Sequence, residues 1–492
     1  MGHSSRRGFL KTASAVAGGA ALARAVPGWA GGAASSSQVK IWKTYRDQRY
    51  SAADALQWKP LEAMAADAIT LDPSATKQEV LGFGGALTDA TCYVLSQMKA
   101  DERAAMMHDL FSPKEMNLNV CRTCIGASDY SRSAYTYDES DTPDPELKKF
   151  SIEYDKAYIL PMIKEIKKAN PEMFLFSSPW SPPGWMKTGG SILGGAMRKH
   201  SYAPYAKYFV KFLEAYKADG VHIDAVTVQN EADADQDGRM PACLWGQEYE
   251  IEFVKDHLGP AMRDAGFKTK IWVLDHNYNL WGRAVAELSD PKAYGFIDGI
   301  AWHGYVGDAS AMTRVHEAFP EKGAYWTEGG PDYTAPDYAT DWAKWGEVFN
   351  STLNNWSRSI TAWNLALDEK GNPNIGPFPC GGTVTVEGGT EKSGSHKITK
   401  SGQYWAFAHY SRHVKRGAKV FATNGVETAS IGGLIDNKPS KALSHSGFRN
   451  PDGSMVVVLA NRGDERRVQL VHGASALDVT LPAESLATLQ WS

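Results

Sequence analysis

The sequence predicts an α/β protein, a (β/α)8 TIM barrel with an attached antiparallel β-sandwich formed by both chain ends. Eight short apolar runs between residues 79 and 415 are each followed by a loop or an amphipathic stretch, which predicts the eight β/α units of the barrel. From residue 416 to residue 492, short strand-like runs follow one another without a helical period. Residues 38–78 also contain strand-like runs, so we expect them to join the same sandwich.

The barrel elements alternate as β/α units require. The eight strand-like runs are, in chain order, LGFGGAL from Leu81, NLNVCRTCIG from Asn117, MFLFSSPW from Met173, IDAVTVQNE from Ile223, KIWVLDHN from Lys270, IDGIAWHGY from Ile297, AYWTEGG from Ala324 and SITAWNLAL from Ser359. The segments YAPYAKYFVKFLEAYKADG and EYEIEFVKDHLGPAMRDAG are amphipathic and end in glycine, as helices often do. We expect a solvated polar loop at SAYTYDESDTPD, from Ser133, and a Gly/Thr-rich loop at GGTVTVEGGTEKSG.

The sandwich is predicted from runs that are short, β-branched and separated by turn residues. They are KVFATN, SHSGFRNPDGSMVVVLANR, RRVQLVHG, LDVTLP and LATLQWS at the carboxyl end, and QVKIWKTY and AITLDP before the barrel. Asn450-Pro451-Asp452-Gly453 is a strong hairpin-turn sequence. The two chain ends are therefore expected to meet in one sandwich.

Residues 1–30 resemble an export signal. Arg6 and Arg7 stand next to each other and are soon followed by Phe9-Leu10-Lys11 and an Ala/Gly-rich stretch, which is typical of the twin-arginine route. We therefore expect a periplasmic or secreted protein, cleaved after Ala25 or Ala30. No later run approaches the roughly 18 apolar residues of a membrane span.

Composition narrows the partners. Lys and Arg number 52, Asp and Glu number 56, and the formal net charge is −4. The sequence has no basic stripe, so nothing in it indicates nucleic-acid binding. Five cysteines cannot all pair within one chain. The CRTC spacing suits a metal or redox pair, but it has no second such pair and lies in a strand-like run, which favours buried thiols. Asp275-His276 has no further ligand at metal-binding spacing, so the sequence predicts no metal and no cofactor.

Polar or aromatic side chains gather where the predicted strands end, apart from the first. In barrels of this kind the carboxyl ends of the strands carry the chemistry. The side chains concerned are Asp129, Trp180, Asn230, Glu231, Asp275, His276, Asn277, His303, Tyr305, Glu328, Trp363 and Asn364.

Glu231 and Glu328 stand at the fourth and seventh strand ends, which face each other across a barrel mouth. Two carboxyl groups flanking one bond are what glycoside hydrolysis requires: one donates a proton and needs a raised pKa, and the other stays ionised. A structural alternative is that each glutamate ends a strand and pairs with a loop Arg or Lys. The presence of both, with tryptophans nearby, favours catalysis.

Several motifs resemble glycoside hydrolase family 30, the group that contains glucosylceramidase. They are GFGGALTDA, SPWSPPGWMKT, FVKFLEAY, AVTVQNEA, TEGG, WNLALDEKGNPN and NPDGSMVVVLANR, and they occur in the family's order over essentially everything after the signal. The resemblance implies a (β/α)8 barrel with a β-sandwich and retaining hydrolysis of β-glycosides. It implies no cofactor, and a β-linked glucoside or glucan as the substrate.

The resemblance also implies roles for single residues. Glu231, after Asn230, corresponds to the acid/base, and Glu328 in WTEGG corresponds to the nucleophile. Arg122 on the second strand is expected to orient the nucleophile and keep it ionised. His303 supports the site, and Tyr305, which completes its HxY pattern, is expected to hydrogen-bond the nucleophile. The implied substrate-binding residues are Asp129, Trp180, Asn230, Tyr305, Trp363 and Asn374.

One position departs from the family pattern, because Ala232 follows Glu231 where members commonly have proline. That loop borders the leaving group, so the family's aglycone preference does not transfer. We expect action on β-glucosides, as in a glucosylceramidase or β-glucosidase. An endo-β-1,6-glucanase and a β-xylosidase are alternatives within the family, and a non-catalytic carbohydrate-binding barrel is an alternative of another class.

Overall fold

The computed structural model describes residues 38–391, 396–425, 433–435 and 442–492, so the predicted export signal lies outside the described residues. Eight parallel strands close into a barrel in which the eighth pairs with the first, Ser359 lying opposite Gly82. The barrel strands, numbered 1 to 8 below, are Gly82–Leu87, Val120–Cys124, Phe174–Ser178, Ala225–Thr227, Lys270–Asn277, Ile297–His303, Gly323–Glu328 and Ser357–Ala362. All eight predicted barrel strands are confirmed.

Helices cover the outside of the barrel. The α-helices are Asp89–Gln97, Ala100–Phe111, Glu153–Lys156, Ile159–Ala169, Tyr202–Ala218, Gln247–Phe253, Gly259–Asp264, Trp281–Ser289, Pro291–Tyr294, Ser310–Ala318, Trp342–Asn354 and Gly402–Ser411. Short 3₁₀ turns occupy Gly184–Met186, Lys199–Ser201, Gln236–Gly238 and Tyr278–Leu280, and Val254–Leu258 is a π-helical segment. Both predicted amphipathic helices are present, although the second contains this π-helical segment. No helix in the described ranges is long and apolar enough to cross a membrane.

The sandwich takes strands from both chain ends. Its strands are Gln38–Tyr45, Gln48–Gln57, Lys59–Pro60, Ile69–Glu79, Lys419–Asn424, Leu443–Arg449, Met455–Asn461, Arg466–His472, Ser475–Leu481 and Ser485–Trp491. The first strand pairs antiparallel with the last, Lys40 lying opposite Gln490. The predicted joint sandwich is therefore confirmed. One face of its strands, with Val457 and Leu489, forms a core of its own, while the opposite face, with Val456 and Leu486, belongs to the same apolar cluster as the barrel.

Two predicted loops are more ordered than expected. Val384–Val386, within the predicted Gly/Thr-rich loop, pairs with Ala366–Leu367 and Ile398–Lys400 in a small sheet. In the predicted solvated loop from Ser133, Tyr137 and Asp138 are buried. Tyr137 donates a hydrogen bond to the buried Asp155 at 2.6 Å, which fixes this loop against the helices. Both loop predictions were therefore wrong in part.

Candidate active site

An apolar plug fills the lower part of the barrel and supports a polar layer above it. Trp272 and Tyr325 stack in the plug with ring centroids 3.9 Å apart, in a cluster that also contains Val120. Side chains alternate along a strand, so Arg122 points into the barrel one step above Val120. The polar layer therefore begins where the plug ends, toward the carboxyl ends of the strands.

Arg122 is fully buried and organises this layer. Its guanidinium donates to Glu328 Oε2 at 2.5 Å, to Asp275 Oδ2 at 2.7 Å and to Asn230 Oδ1 at 2.8 Å. A further bond joins its Nε to Ser178 Oγ at 3.1 Å. Because a planar guanidinium presents its donors in a rigid fork, these partners are held in fixed relative positions. Arg122 thus connects side chains from strands 3 to 5 and strand 7.

Glu328 ends strand 7 and receives a donor on each carboxylate oxygen. Arg122 contacts Oε2, and the Tyr305 hydroxyl donates to Oε1 at 3.1 Å. Burial raises the pKa of Glu328, and the positive charges of His303 and Arg122 oppose that rise. Donors on both oxygens favour the ionised form, but they only partly offset burial, so the pKa of Glu328 stays above its ordinary value.

Glu231 lies just beyond strand 4 in a left-handed backbone conformation, with φ of +49°. Its N–H donates to the carbonyl of Asp275 at 3.0 Å, which fixes this turn against strand 5. Its Oε1 lies 3.0 Å from Nδ1 of His303, and its Oε2 accepts from Gln236 at 3.2 Å. The carboxyl group is therefore aimed into the barrel mouth and partly exposed.

His303 lies between the two glutamates. Its Nδ1 faces Glu231, while its Nε2 lies 3.0 Å from Asp275 Oδ1 and 3.8 Å from Glu328 Oε2. Glu231 and Glu328 consequently face one imidazole ring, which places their carboxyl groups around a common space. The two glutamates predicted from separate strand ends are brought together.

The charges in the free protein differ from the expected pattern of a proton-bearing Glu231 beside an ionised Glu328. Burial acts to raise the pKa of Glu231, but His276 and His303 outweigh it and lower that pKa to about 2. Burial acts to lower the pKa of His303, but Glu328, Asp275 and Glu231 raise it to about 9. The hydrogen bond between Glu231 and His303 therefore contains a proton that resides on the imidazole in the free protein.

Trp180 and Trp363 both reach the site, but in an arrangement that the sequence did not indicate. Their rings stack on each other with centroids 5.0 Å apart and planes 21° apart, and each is 2% exposed. The Arg122 guanidinium carbon lies 4.7 Å from the centroid of the Trp180 ring. A sugar ring cannot enter between the two indoles, which form one stacked and almost wholly buried pair.

Asp129 and Asn374 differ in what they offer a ligand. Asp129 is 4% exposed, and its Oδ1 has no hydrogen-bond partner in the described part of the chain. Burial, Glu328 and Glu231 raise its pKa well above the ordinary value. Asn374 instead holds its own loop: its amide nitrogen donates to the Phe378 carbonyl at 2.9 Å, and its oxygen accepts from the Gly376 N–H at 2.7 Å. The predicted substrate contact of Asn374 therefore stays a prediction, and in this structure the amide holds its own loop.

Models of two glycosyl hydrolase family 30 domains match the chain, the TIM-barrel domain over residues 80–414 and the beta sandwich domain over residues 431–489. The chain belongs to glycosyl hydrolase family 30. The family resemblance inferred from the motifs is thus confirmed, and the protein is a family 30 glycoside hydrolase.

The named relatives include endo-1,6-beta-D-glucanases and glucosylceramidases. The chain is 34% identical to the endo-1,6-beta-D-glucanase of Neurospora crassa, over 80% of this chain and 81% of that protein. It is 29% identical to the lysosomal acid glucosylceramidase of Mus musculus, over 86% of this chain and 82% of that protein. Among solved structures, the endo-beta1,6-glucanase BT3312 superposes with a TM-score of 0.79 at 31% identity, covering 92% of this chain and 99% of that one.

Asp275 and His276 belong to the site of this family 30 hydrolase, although the sequence analysis assigned them no role. Asp275 is fully buried and accepts from Arg122, from Thr227 and from Thr327, besides its contact with His303. The sequence signal was the polar run Asp275-His276-Asn277 at the end of an otherwise apolar strand. That run was expected among the polar side chains at the strand ends, but no individual role was predicted for Asp275 or His276.

Proposed function

We propose that this family 30 hydrolase cleaves internal bonds of β-1,6-linked glucan by a retaining two-carboxylate mechanism. The observation that carries the chemistry is the placement of Glu231 and Glu328 around the His303 ring, at the ends of strands 4 and 7. The choice of glucan is supported by the endo-1,6-β-glucanases among the relatives, at 34% and 31% identity.

In the proposed first step, Glu328 attacks the anomeric carbon and forms a glycosyl ester while the glycosidic C–O bond breaks. Before this step the Nδ1 proton of His303 moves to Glu231 across their 3.0 Å hydrogen bond, and Glu231 gives that proton to the departing oxygen, which leaves Glu231 ionised and His303 neutral. In the second step, Glu231 removes a proton from water, and the water oxygen displaces Glu328. Two inversions at one carbon return the β configuration.

Proton supply explains why the low pKa of Glu231 in the free protein is compatible with this role. His303 and Glu231 hold one proton between them, and its transfer from Nδ1 to Oε1 changes no net charge. Asp275, on the other side of the ring, accepts from Nε2 and so retains the orientation of His303 after the transfer. His303 is therefore a positioning and proton-supplying residue for Glu231.

A cavity beside the acid/base turn offers hydrogen-bonding side chains that suit a second sugar as the leaving group. It has a volume of about 420 Å³ and begins at Asp233, two residues after Glu231. Charged or amide side chains line much of it, including Gln247, Glu248 and Asn279. Such groups hydrogen-bond to sugar hydroxyls.

A glucosylceramidase or exo-acting β-glucosidase is the second proposal, supported by the mouse relative. A panel of β-1,6-glucan, glucosylceramide, aryl β-glucoside and aryl β-xyloside separates these activities, with product lengths followed over time. We expect glucan to give a series of oligosaccharides before glucose accumulates. Glucose release from glucosylceramide without glucan cleavage contradicts the glucanase proposal, and no turnover of any substrate supports a binding barrel.

A further inference from the structure

Three side chains that can bind a metal converge beside the proposed proton donor. We propose that Glu231, His276 and His303 bind a divalent transition-metal ion of the Zn²⁺ class, and that the bound ion inhibits the enzyme. The sequence predicted no metal site because Asp275-His276 has no third ligand nearby in sequence. Closure of the barrel supplies the missing ligands, because strands 4, 5 and 6 end side by side.

The spacing of the ligand atoms suits a small ion. One atom from each residue lies within 4.8 Å of the others. Glu231 Oε1 is 3.0 Å from His303 Nδ1 and 3.8 Å from His276 Nδ1. Around a tetrahedral zinc ion with Zn–N bonds of about 2.0–2.1 Å, neighbouring ligand atoms lie roughly 3.3 Å apart. The two measured separations lie on either side of that value.

His276 supplies an independent indication of a ligand. It is 8% exposed, and its Nδ1 has no hydrogen-bond partner among the residues that the structure describes. A buried polar atom without a partner costs free energy unless something binds it. This nitrogen lies 3.8 Å from the Glu231 carboxylate, which is too far for a hydrogen bond. An ion between the two groups would give both of them a ligand bond.

His303 is already oriented as a metal ligand. In metal sites the second nitrogen of a ligating histidine commonly donates to a carboxylate, which fixes the ring and its tautomer. Here Nε2 of His303 faces Asp275 Oδ1 at 3.0 Å, and Asp275 is itself held by Arg122 and two threonines. His303 Nδ1 is thereby left to face Glu231 and the ion.

The bound ion would take the place of the proton between His303 and Glu231. Glu231 could then no longer protonate a leaving group, so the consequence for activity rests on its proposed acid/base role. Binding itself does not rest on that role. The Glu231 side chain is 17% exposed, which gives an ion and one water access from the barrel mouth.

Titration calorimetry of the full chain with Zn²⁺ tests the binding, and Co²⁺ absorption reports the coordination. We expect His276→Ala and Glu231→Gln each to weaken Zn²⁺ binding by at least about tenfold, since each removes one ligand. His222→Ala is the matched control, because His222 is exposed outside the barrel, and it should leave the affinity unchanged. Thermal unfolding without metal verifies that each variant is folded.

Two results would overturn the proposal: a wild-type affinity equal to that of His276→Ala, or a Co²⁺ spectrum without histidine-dependent change. Neither requires catalysis, so both remain informative if the proposed function is wrong. Inhibition supplies a second measurement on the wild-type protein. Zn²⁺ should suppress turnover of β-1,6-glucan more than the first step on an activated aryl glycoside, and a chelator should restore both. Equal suppression would contradict the assignment of the ion to the proton donor.

Discussion

At the scale of single residues, one guanidinium and one imidazole arrange the whole site. Arg122 holds Glu328, Asn230 and Asp275, while His303 joins Asp275 to Glu231. The two proposed catalytic carboxyl groups therefore have different partners: Glu328 has an arginine and a tyrosine, and Glu231 has a histidine and Gln236. Different surroundings give chemically similar groups different tasks.

Glu231→Gln tests the proton-donor role. We expect a large loss of kcat on substrates with poor leaving groups, because general acid catalysis is worth about 10²- to 10⁴-fold. The first step on an activated aryl glycoside should be spared, and azide should restore turnover by replacing water as the nucleophile. Steady-state and burst kinetics on both substrate types measure this. Equal loss on both types without azide rescue would remove Glu231 from the role.

Asp129→Ala tests whether the unpartnered Oδ1 binds a sugar hydroxyl. The loss of such a contact costs about 1–3 kcal/mol, so we expect kcat/KM for an aryl β-glucoside to fall roughly 5- to 150-fold. Asp129→Asn keeps one acceptor oxygen, so its kcat/KM for the aryl β-glucoside should fall less than that of Asp129→Ala. If Asp129 contacts a hydroxyl that xylose lacks, the wild type prefers the glucoside and Asp129→Ala narrows that preference. A wild-type kcat/KM for the xyloside equal to that for the glucoside would overturn the glucose assignment and leave the retaining mechanism intact.

At the scale of elements, the loop after strand 2 is held by one buried carboxylate. Asp155 is fully buried and accepts from the hydroxyls of Tyr135 at 3.0 Å, Tyr137 at 2.6 Å and Tyr216 at 2.5 Å. The first two tyrosines belong to the loop and the third to helix Tyr202–Ala218. This carboxylate therefore ties the loop that begins near Asp129 to the outer helices.

Asp155→Ala should destabilise the protein substantially, because it leaves three buried hydroxyls without their acceptor. At about 1–3 kcal/mol for each unsatisfied group, we expect the free energy of unfolding to fall by about 3 kcal/mol or more. Urea unfolding followed by tryptophan fluorescence measures the change. Asp141→Ala, at an exposed carboxylate of the same loop, is the control. A loss no larger than that of the control would show that the tyrosines find other partners.

Elements also show what the sequence could predict. The barrel strands were predictable because they are apolar runs, and all but the first have polar or aromatic residues at the carboxyl end, as in Ala225–Thr227 followed by Asn230. Gln48–Gln57 was missed, since its sequence QRYSAADALQ has no alternation and it depends on pairing with Gln38–Tyr45. The approach of His276 to Glu231 was not predictable either, because it depends on the left-handed backbone turn at Glu231 beyond strand 4.

At the scale of the whole molecule, two neutral histidines join the barrel to the sandwich. His409, on the helix Gly402–Ser411, contacts Thr44 and Thr488 at 2.8 Å each. His413 contacts the Tyr50 hydroxyl at 2.7 Å and Gln490 at 3.0 Å. Their partners lie in the first two and the last of the sandwich strands, so both chain ends are fixed to the barrel through these rings.

Because His409 and His413 are buried in this contact between barrel and sandwich, we expect the protein to lose stability in acid. Burial lowers the pKa of His409 to about 3 and that of His413 to about 4, against about 6.5 in an unfolded chain. Above about pH 6.5 both rings are neutral in both states and contribute no pH dependence. Below it the unfolded chain binds protons that the folded protein excludes, so stability falls by up to about 1.4 kcal/mol per histidine per pH unit until the folded pKa values are reached.

We expect the wild type to lose more unfolding free energy between pH 7.5 and pH 5 than a His409→Gln/His413→Gln double variant. Urea unfolding at both pH values measures the difference, with His222→Gln as the exposed control. If the unfolding free energy of the wild type and of the double variant fell equally with pH, the prediction would be contradicted. Protonation of the two rings would then not weaken the contact between barrel and sandwich.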